Sequence, residues 1–242
     1  MKIEQTYIIG LREVGMRNEL TNYGILAFLE DIATDHSGLV GDGVEDVEKN
    51  NGAFLILDWN LEVYKRLKFN DIIKVRTYAL PVEKTTFHCY RNFEIYDEKE
   101  NLIATAQSKW LFYNFKERKI EKLNSERVAA YHPEGDLQET ENKIKKIKEP
   151  ISFENIKESH ARRMDIDVNN HMNNLVYLKL AYEVLPENIY FSDELKNLRV
   201  TYKHQIRLGE KIKICYSKEE EKHIVVIKSQ DDTKIHAIVE LW

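Results

Sequence analysis

Three side chains that could carry out acid–base chemistry stand two residues apart in the second half of the chain: Asp167, Asn169 and His171. In an extended segment alternate residues face the same side, so we expect this acid, amide and base to converge on one surface. Acid and base groups held together in this way are the usual parts of general acid–base catalysis. The motif is therefore the first candidate for a reactive site.

The run that follows the motif, Leu175 to Leu185, predicts the helix that positions it. Lys179 and Glu183 are its only charged residues and share one edge, so the helix is predicted to be buried on its other sides. Pro186 ends it. The motif would then lie at the helix N-terminus, where free N–H groups and the helix dipole favour a developing negative charge. Because Asn and Asp are also ordinary N-cap residues, helix capping is an alternative role for the motif.

The composition is that of a soluble globular protein. Of the 242 residues, 43% are hydrophobic and 32% are charged, which allows one large domain or two small ones. Apolar runs such as Ala53 to Leu57 are far shorter than the ~18 residues that cross a bilayer. The N-terminus has no hydrophobic signal core, so we expect a cytoplasmic protein. A net charge of −5 disfavours general nucleic-acid binding.

Cysteine and histidine spacing gives no sign of a metal site. Cys89 and Cys215 each lie in a strand-like run and are expected to be reduced core residues. The eight histidines form no pair at helical or alternate spacing with a third ligand nearby. We therefore expect no bound metal.

Hydrophobic periodicity predicts the same order of elements twice: a strand, a long helix, then four strands. The predicted helices cover Ile25 to Ser37 and Leu175 to Leu185. The predicted strands cover 2–9, 54–66, 71–80, 85–97 and 101–115 in the first half, and 151–158, 195–207, 210–219, 222–229 and 233–242 in the second. Each half is therefore an α+β unit, and the chain is an internal duplication.

The duplication gives predicted boundaries and an internal control. Residues 1–130 form the first repeat, the polar segment 131–150 is the linker, and residues 151–242 form the second repeat, which carries the motif. Aligning Phe28-Leu29 with Tyr177-Leu178 places Asn18, Leu20 and Asn22 opposite the motif. The Asp, Asn and His are thus absent from the first repeat although its helix persists. This asymmetry favours chemistry over capping.

The chain resembles the acyl-acyl carrier protein (acyl-ACP) thioesterases, which are double hotdog proteins. The resemblance covers nearly the whole chain. It is carried by Asp167 to Tyr177 followed by Val200 to Lys203, by Leu29 to His36 with Gly41 to Gly43, and by Arg91 to Phe93 with Ser108 to Trp110. It implies two tandem hotdog repeats, each with a long helix wrapped by an antiparallel sheet. It also implies hydrolysis of acyl-ACP to a free fatty acid and holo-ACP, with no cofactor or metal.

The resemblance also implies roles for the motif. Asp167 would orient Asn169, Asn169 would contact the reacting carbonyl or the water, and His171 would act as general base or orient that water. A backbone N–H near the helix start could hold the oxyanion. A thioester is an activated acyl group, so these groups can suffice without a covalent nucleophile.

One position departs from the family pattern. Where the family commonly has Glu, this chain has Gln205, which can hold a water by hydrogen bonds but cannot accept a proton. If that Glu is the base elsewhere in the family, His171 must be the base here, or the rate must be lower. Ile206 replaces the cysteine that follows in the pattern, so a cysteine nucleophile is excluded at this site. His204 is expected to face the opposite side of its strand.

Other signals have ordinary structural explanations. Asp35-His36-Ser37 lies on a helix, where neighbours point about 100° apart and cannot form a catalytic relay. Aromatic residues of the first half are core residues or part of an acyl-chain tunnel; they are Phe54, Trp59, Phe87 and Phe93. Basic clusters could dock the acidic acyl carrier protein; they are Lys65-Arg66 with Lys68, Arg162-Arg163, and Lys203 to Arg207.

The expected partners are acyl carrier protein and a fatty acyl thioester, with the chain a monomer or a homodimer. Two alternatives remain. The first is an acyl-CoA thioesterase with the same site. The second is a non-catalytic acyl-binding hotdog protein, which the missing Glu keeps open. A dehydratase needs a differently placed His and acid pair, which the sequence does not contain.

Overall fold

The computed structural model describes residues 1–192 and 195–242 and divides into two compact units, Met1–Lys145 and Lys146–Trp242. Each unit contains one main helix and an antiparallel sheet, which confirms the α+β class. All ten predicted strands and both predicted helices have observed counterparts, and only the predicted strand 222–229 keeps both of its ends. Within the described ranges, no helix combines the length and apolarity needed to cross a bilayer.

The first unit is built on a five-stranded path with a short strand paired to it. Its strands are β1 (Ile3–Ile8), β2 (Gly52–Val63), β3 (Ile72–Ala79), β4 (Cys89–Asp97), β5 (Leu102–Asn114) and β6 (Lys119–Glu121). Its helices are α1 (Asn22–Leu39), α2 (Val47–Asn50), α3 (Ser125–Val128) and α4 (Leu137–Lys143), with 3₁₀ turns at Val44–Asp46 and Ala129–Tyr131. The strand order is β1-β3-β4-β5-β2, all antiparallel, with β6 on β5.

Alternation along the strands separates the core face from the outer face of this sheet. In β3, Ile73 and Val75 are fully buried while the side chains between them are partly exposed, as the period of two requires. Helix α1 buries apolar residues over much of its surface and contacts β1 and β3. It starts at Asn22, ahead of the predicted start, because the Thr21 hydroxyl accepts a hydrogen bond from Gly24 N at 3.0 Å.

The second unit repeats this plan with a shorter helix. Its strands are β7 (Asn155–His160), β8 (Asn197–Tyr202), β9 (Lys211–Glu219), β10 (Lys222–Ser229) and β11 (Ile235–Leu241), and its helices are α5 (Asn174–Tyr182) and α6 (Glu187–Tyr190), with a 3₁₀ turn at Arg163–Asp165. The strand order is β8-β11-β10-β9-β7, all antiparallel. Helix α5 buries its apolar residues and exposes Lys179, as predicted, but it ends at Tyr182 and not at Pro186, so Glu183 is its C-cap.

The segment predicted as a linker contains ordered structure. Helix α4 is capped by Asp136, and the buried Thr140 hydroxyl donates to Asn92 Oδ1 at 3.1 Å. Ile147 packs in an apolar cluster of the second unit with Cys215 and Ile238. The boundary between the compact units falls within this segment, after Lys145.

Candidate active site

The motif forms a tight hairpin, so the prediction of an extended segment was wrong. Ile166 and Met172 form an antiparallel bridge, and Asp167 N donates to His171 O at 3.0 Å. Asn170 N donates to Asp167 O, also at 3.0 Å. Asn170 has a φ of 61°, the left-handed conformation that closes three-residue hairpin loops and that Asn tolerates better than most residues. The alternation of side chains is therefore broken between Asp167 and His171.

The hairpin nevertheless brings the acid and the base together. Asp167 Oδ1 lies 3.9 Å from His171 Nδ1, and the two side chains are only 20% and 17% exposed. His171 Nδ1 also lies 3.3 Å from Met172 O. Because the Met172 carbonyl accepts on this side and the Asp167 carboxylate lies nearby, the proton belongs on Nδ1, and Nε2 is the nitrogen left to accept a proton. The arrangement pairs a carboxylate with an imidazole whose Nε2 is available as an acceptor.

Asn169 is held through its backbone. Asp167 Oδ1 accepts a hydrogen bond from Asn169 N at 2.8 Å, and the Asn169 side chain is exposed at the tip of the hairpin. Asp167 thus orients the Asn169 main chain.

Helix capping falls on a different residue. Asn173 Oδ1 accepts from Leu175 N at 2.9 Å and is the N-cap of α5. Asn173 N in turn donates to Asp165 O at 2.9 Å. Because Asn173 caps the helix, Asp167 and His171 are not needed for that task. Within the stretch from Asp167 to Asn174, the capping alternative therefore holds for Asn173 and not for Asp167 or His171.

Gln205 lies in an irregular segment beside the hairpin. Strand β8 ends at Tyr202, short of the predicted end, so the expectation that His204 faces the opposite side of its strand does not apply. Met172 N donates to Ile206 O at 2.8 Å, which ties the hairpin to this segment. The Gln205 side chain is exposed, one residue from that hydrogen bond.

A buried histidine that the sequence analysis missed fixes the segment 203–206. His236 in β11 is 0% exposed. Its carbonyl accepts from Lys203 N at 2.8 Å, and its Nδ1 lies 3.1 Å from His204 O. Its Nε2 lies 3.4 Å from Glu210 Oε1. Burial lowers the pKa of His236, so the neutral ring donates from Nδ1 to the His204 carbonyl.

A buried tyrosine of α5 reaches the same carbonyl. The Tyr177 hydroxyl donates to His204 O at 3.5 Å, and burial raises the pKa of Tyr177. The phenol is therefore neutral and acts as a donor here.

The first unit contains the same hairpin without the reactive residues. Val14 and Leu20 form the bridge, Gly15 N donates to Glu19 O at 2.9 Å, and Asn18 has a φ of 59°. These contacts equate Gly15, Arg17 and Glu19 with Asp167, Asn169 and His171. The predicted alignment, with Asn18, Leu20 and Asn22 opposite the motif, was wrong by three residues. The conclusion drawn from it stands, because the first repeat still lacks the Asp, Asn and His.

The other candidate residues lie in the core, at the surface or at a cavity wall. His36 is buried in α1, where burial and then Arg91 lower its pKa to about 3. Trp59 and Phe93 pack together in the core, Phe87 is exposed, and Phe54 lines a cavity of the first unit. Both cysteines are free. Within the described residues, no group of three or more His, Cys, Asp or Glu side chains is placed to hold a metal ion.

Two family profiles match the chain. The acyl-ACP thioesterase N-terminal domain matches residues 1–131, and the acyl-ACP thioesterase C-terminal domain matches residues 148–241. The oleoyl-acyl carrier protein thioesterase of Coriandrum sativum is 22% identical over 94% of this chain and 66% of its own length. The palmitoyl-acyl carrier protein thioesterase of Arabidopsis thaliana is 24% identical over 83% of this chain and 51% of its own length. The chain thus spans between half and two thirds of these chloroplastic relatives.

Solved structures share the fold over the full chain. An acyl-ACP thioesterase from Bacteroides thetaiotaomicron superposes with a TM-score of 0.83 at 17% identity, covering 99% of this chain and 96% of the other. The 12:0-ACP thioesterase from Umbellularia californica gives a TM-score of 0.85 at 16% identity, with the same coverage. The predicted double hotdog fold is confirmed. Because the two profile matches account for nearly all of the sequence, the chain belongs to the acyl-ACP thioesterase family.

Proposed function

We propose that this protein hydrolyses acyl-ACP to a free fatty acid and holo-ACP by attack of water on the thioester. The observation that carries the proposal is the Asp167–His171 pair, held at 3.9 Å in a hairpin that the first unit repeats without either residue. Family membership supplies the reaction class.

The proposed mechanism needs one water and one base. His171 Nε2 accepts a proton from the water as the water oxygen attacks the carbonyl carbon, and the Asp167 carboxylate stabilises the imidazolium that forms. The tetrahedral intermediate then breaks its C–S bond, and the imidazolium returns the proton to the departing thiolate. Gln205 and the Asn169 amide hold the water or the carbonyl oxygen.

The first turn of α5 offers a donor for the oxyanion. Leu175 N and Val176 N are bonded to Asn173, and Met172 N and Asn173 N are bonded to other carbonyls. The N–H of Asn174 is therefore the candidate, in the place where the helix dipole favours negative charge.

Thiol release from acyl-ACP tests this proposal. We expect turnover by the natural protein and a loss of at least 100-fold in kcat for His171→Ala, since general-base catalysis contributes about 10²–10⁴-fold. His160→Ala, at an exposed position of β7, is the matched control and should keep full activity. Full activity of His171→Ala would refute His171 as the base. Binding of acyl-ACP without turnover would favour the non-catalytic acyl-binding alternative.

The carrier and the compartment belong to the same proposal. Lys203 and Arg207 are exposed on either side of Gln205 and would attract an acidic carrier protein. Equal kcat/KM on acyl-CoA and acyl-ACP, with no dependence on salt, would favour the acyl-CoA alternative. Two free cysteines fit a reducing compartment such as the cytoplasm, which cell fractionation tests. Solution mass measurement separates monomer from homodimer.

A further inference from the structure

The first unit contains a cavity with a buried cation in its wall. The cavity has an empty volume of about 410 Å³, part of it open to solvent. Ala33, Leu80 and Val128 contribute apolar surface, whereas Ser37, Arg91 and Tyr131 contribute polar groups. Because the 410 Å³ includes space open to solvent, the enclosed part has room for only about two water-sized groups, which is the size of a carboxylate.

Arg91 has only neutral partners. Its residue is 6% exposed and lies on the buried face of β4, in line with Phe93. Its Nη1 lies 2.7 Å from His36 Nδ1 and 3.4 Å from Thr77 Oγ1. Among the described residues, no carboxylate pairs with it, whereas Arg127 of the same unit binds both oxygens of Asp42. The guanidinium is therefore a buried charge without a counter-ion from the chain.

A carboxylate is the ligand that best completes this site. A buried charge is costly unless it is paired, and the planar guanidinium matches a carboxylate with two parallel hydrogen bonds. The Tyr131 hydroxyl, which donates to Ser37 Oγ at 3.3 Å, adds a second polar group at the cavity wall. We propose that the cavity binds the carboxylate of an aliphatic acid through Arg91, with the aliphatic chain against the apolar wall.

Calorimetric titration of the full chain with octanoate tests the site without any thioester. We expect octanoate to bind, and 1-octanol and octylamine to bind at least tenfold more weakly because they cannot neutralise Arg91. Arg91→Met should weaken octanoate binding by about 10- to 100-fold, the range for a lost charge-assisted hydrogen bond. Arg12→Met removes an exposed charge of the same unit and should leave binding unchanged.

Two outcomes would overturn the proposal. One is octanoate binding that Arg91→Met leaves unchanged while the variant unfolds at the wild-type temperature. The other, which does not depend on the folding of any variant, is equal binding of octanoate and octylamine by the natural protein. Because neither measurement involves hydrolysis, failure of this site is distinguishable from failure of the proposed thioesterase function.

A second arm, which rests on the proposed function, identifies the source of the carboxylate. If the ligand is a free fatty acid, octanoate inhibits hydrolysis of an octanoyl thioester, and Arg91→Met relieves the inhibition. If the carboxylate is carried at the far end of the substrate chain, a suberyl thioester is preferred to the octanoyl thioester, and Arg91→Met abolishes the preference. In an active protein, inhibition by octanoate or a preference for the suberyl thioester that Arg91→Met leaves unchanged would refute the carboxylate site.

A different observation assigns a role to His236. Lys203 N and His204 N donate to His236 O at 2.8 and 3.2 Å, and in the first unit Tyr64 N and Lys65 N donate to Ile103 O at 2.8 and 3.2 Å. His236 is therefore the counterpart of Ile103, and both are buried. The second unit, which contains the Asp167–His171 pair, has a side-chain hydrogen-bond donor at this position, whereas the first unit has the apolar Ile103.

The geometry points to His236 as a positioning residue for Gln205. Its Nδ1 fixes the His204 carbonyl at 3.1 Å, one residue before the Gln205 side chain. This inference deepens the proposed function and rests on it. The Ile103 carbonyl accepts the same two backbone hydrogen bonds although Ile103 has no side-chain donor. The fold therefore does not require a histidine at position 236.

Two substitutions separate positioning from stability. His236→Ile copies the first unit and should keep the unfolding temperature while lowering kcat about tenfold at unchanged KM. His236→Asn keeps an amide donor near the position of Nδ1 and should restore most of kcat. Amide hydrogen exchange at 203–206 should rise in His236→Ile, a readout that stays valid if the natural protein shows no hydrolysis. Wild-type exchange in His236→Ile, or wild-type kcat in an active protein, would refute the role.

Discussion

The Asp167–His171 pair allows a quantitative test of the proposed mechanism through Asp167→Asn. The substitution is isosteric and keeps Oδ1, which accepts from Asn169 N at 2.8 Å, so the hairpin should persist. What is lost is the negative charge 3.9 Å from His171 Nδ1. The variant therefore isolates the electrostatic contribution of Asp167 to an imidazolium that forms during attack.

The size of that contribution follows from distance and exposure. Two unit charges about 4 Å apart interact by about 4 kcal/mol at an effective dielectric constant of 20 and by about 1 kcal/mol in bulk water. Both side chains are about one fifth exposed, so solvent screening leaves an intermediate value of about 2 kcal/mol. Since about 1.4 kcal/mol corresponds to a tenfold change in rate, kcat should fall about 30-fold while KM stays nearly constant.

The assay is steady-state thiol release from acyl-ACP, with thermal unfolding as the check on structure. Asp231→Asn is the matched control, because Asp231 Oδ1 accepts from Thr233 N at 3.1 Å in a similar turn of the same unit. The control should keep wild-type kcat. A loss of less than threefold in Asp167→Asn, or a change confined to KM, would refute an electrostatic role of Asp167 in the chemical step.

Three further predictions concern separate parts of the chain. Gln205→Glu should raise kcat by about tenfold or more, since it adds a carboxylate base beside the hairpin; an unchanged or lower kcat would show that the site does not use a base there. The pair of substitutions Lys203→Glu and Arg207→Glu should raise KM for acyl-ACP severalfold and reduce the salt dependence of kcat/KM, whereas an unchanged KM would exclude this docking surface. Burial lowers the pKa of His36 to about 3, so the unfolded chain binds the proton more tightly. The contribution of neutral His36 to the free energy of unfolding is at its maximum above about pH 6.5. It falls by about 1.4 kcal/mol per pH unit as the pH drops towards about 3. Urea unfolding at pH 7 and pH 5 should show a smaller difference for His36→Gln than for the natural protein, and equal differences would contradict the assignment.

Local sequence patterns predicted the elements but not the loops between them. The alternating residues of β3 and the apolar run of α5 are set by burial of one face, which periodicity reports directly. The hairpin at 167–171 depends instead on the left-handed backbone of Asn170, which interrupts the alternation. The segment at Gln205 likewise leaves the strand geometry after Tyr202. Asp167 and His171 were therefore identified correctly as neighbours, but the backbone geometry that brings them together was not.

Residues whose positions depend on long-range contacts could not be predicted from local sequence patterns. His236 Nδ1 contacts the carbonyl of His204, which is 32 positions away in the chain. No local pattern predicts such a contact. The position of Arg91 could have been predicted from periodicity, because it lies two residues before Phe93 and four before Ile95 on the buried face of β4. A charged residue in register with a buried alternating run indicates an ion pair or a ligand contact.

The internal duplication separates the residues that build the fold from those that carry chemistry. Each unit closes its hairpin with a left-handed Asn, and each bonds the next strand segment through one amide, Leu20 N to Leu67 O and Met172 N to Ile206 O, both at 2.8 Å.

The turn before the following strand is also shared. Lys68 N donates to the Asp71 carboxylate at 2.8 Å, and Arg207 N donates to the Glu210 carboxylate at 3.0 Å. Glu210 is therefore explained by the fold although it lies near His236. Asp167 Oδ1 accepts from Asn169 N, but the hairpin does not require the acid or the base, because Gly15 and Glu19 support the same main-chain hydrogen bonds in the first unit. A residue type that the fold does not require, and that only one of two copies keeps, is best explained by a reaction in that copy.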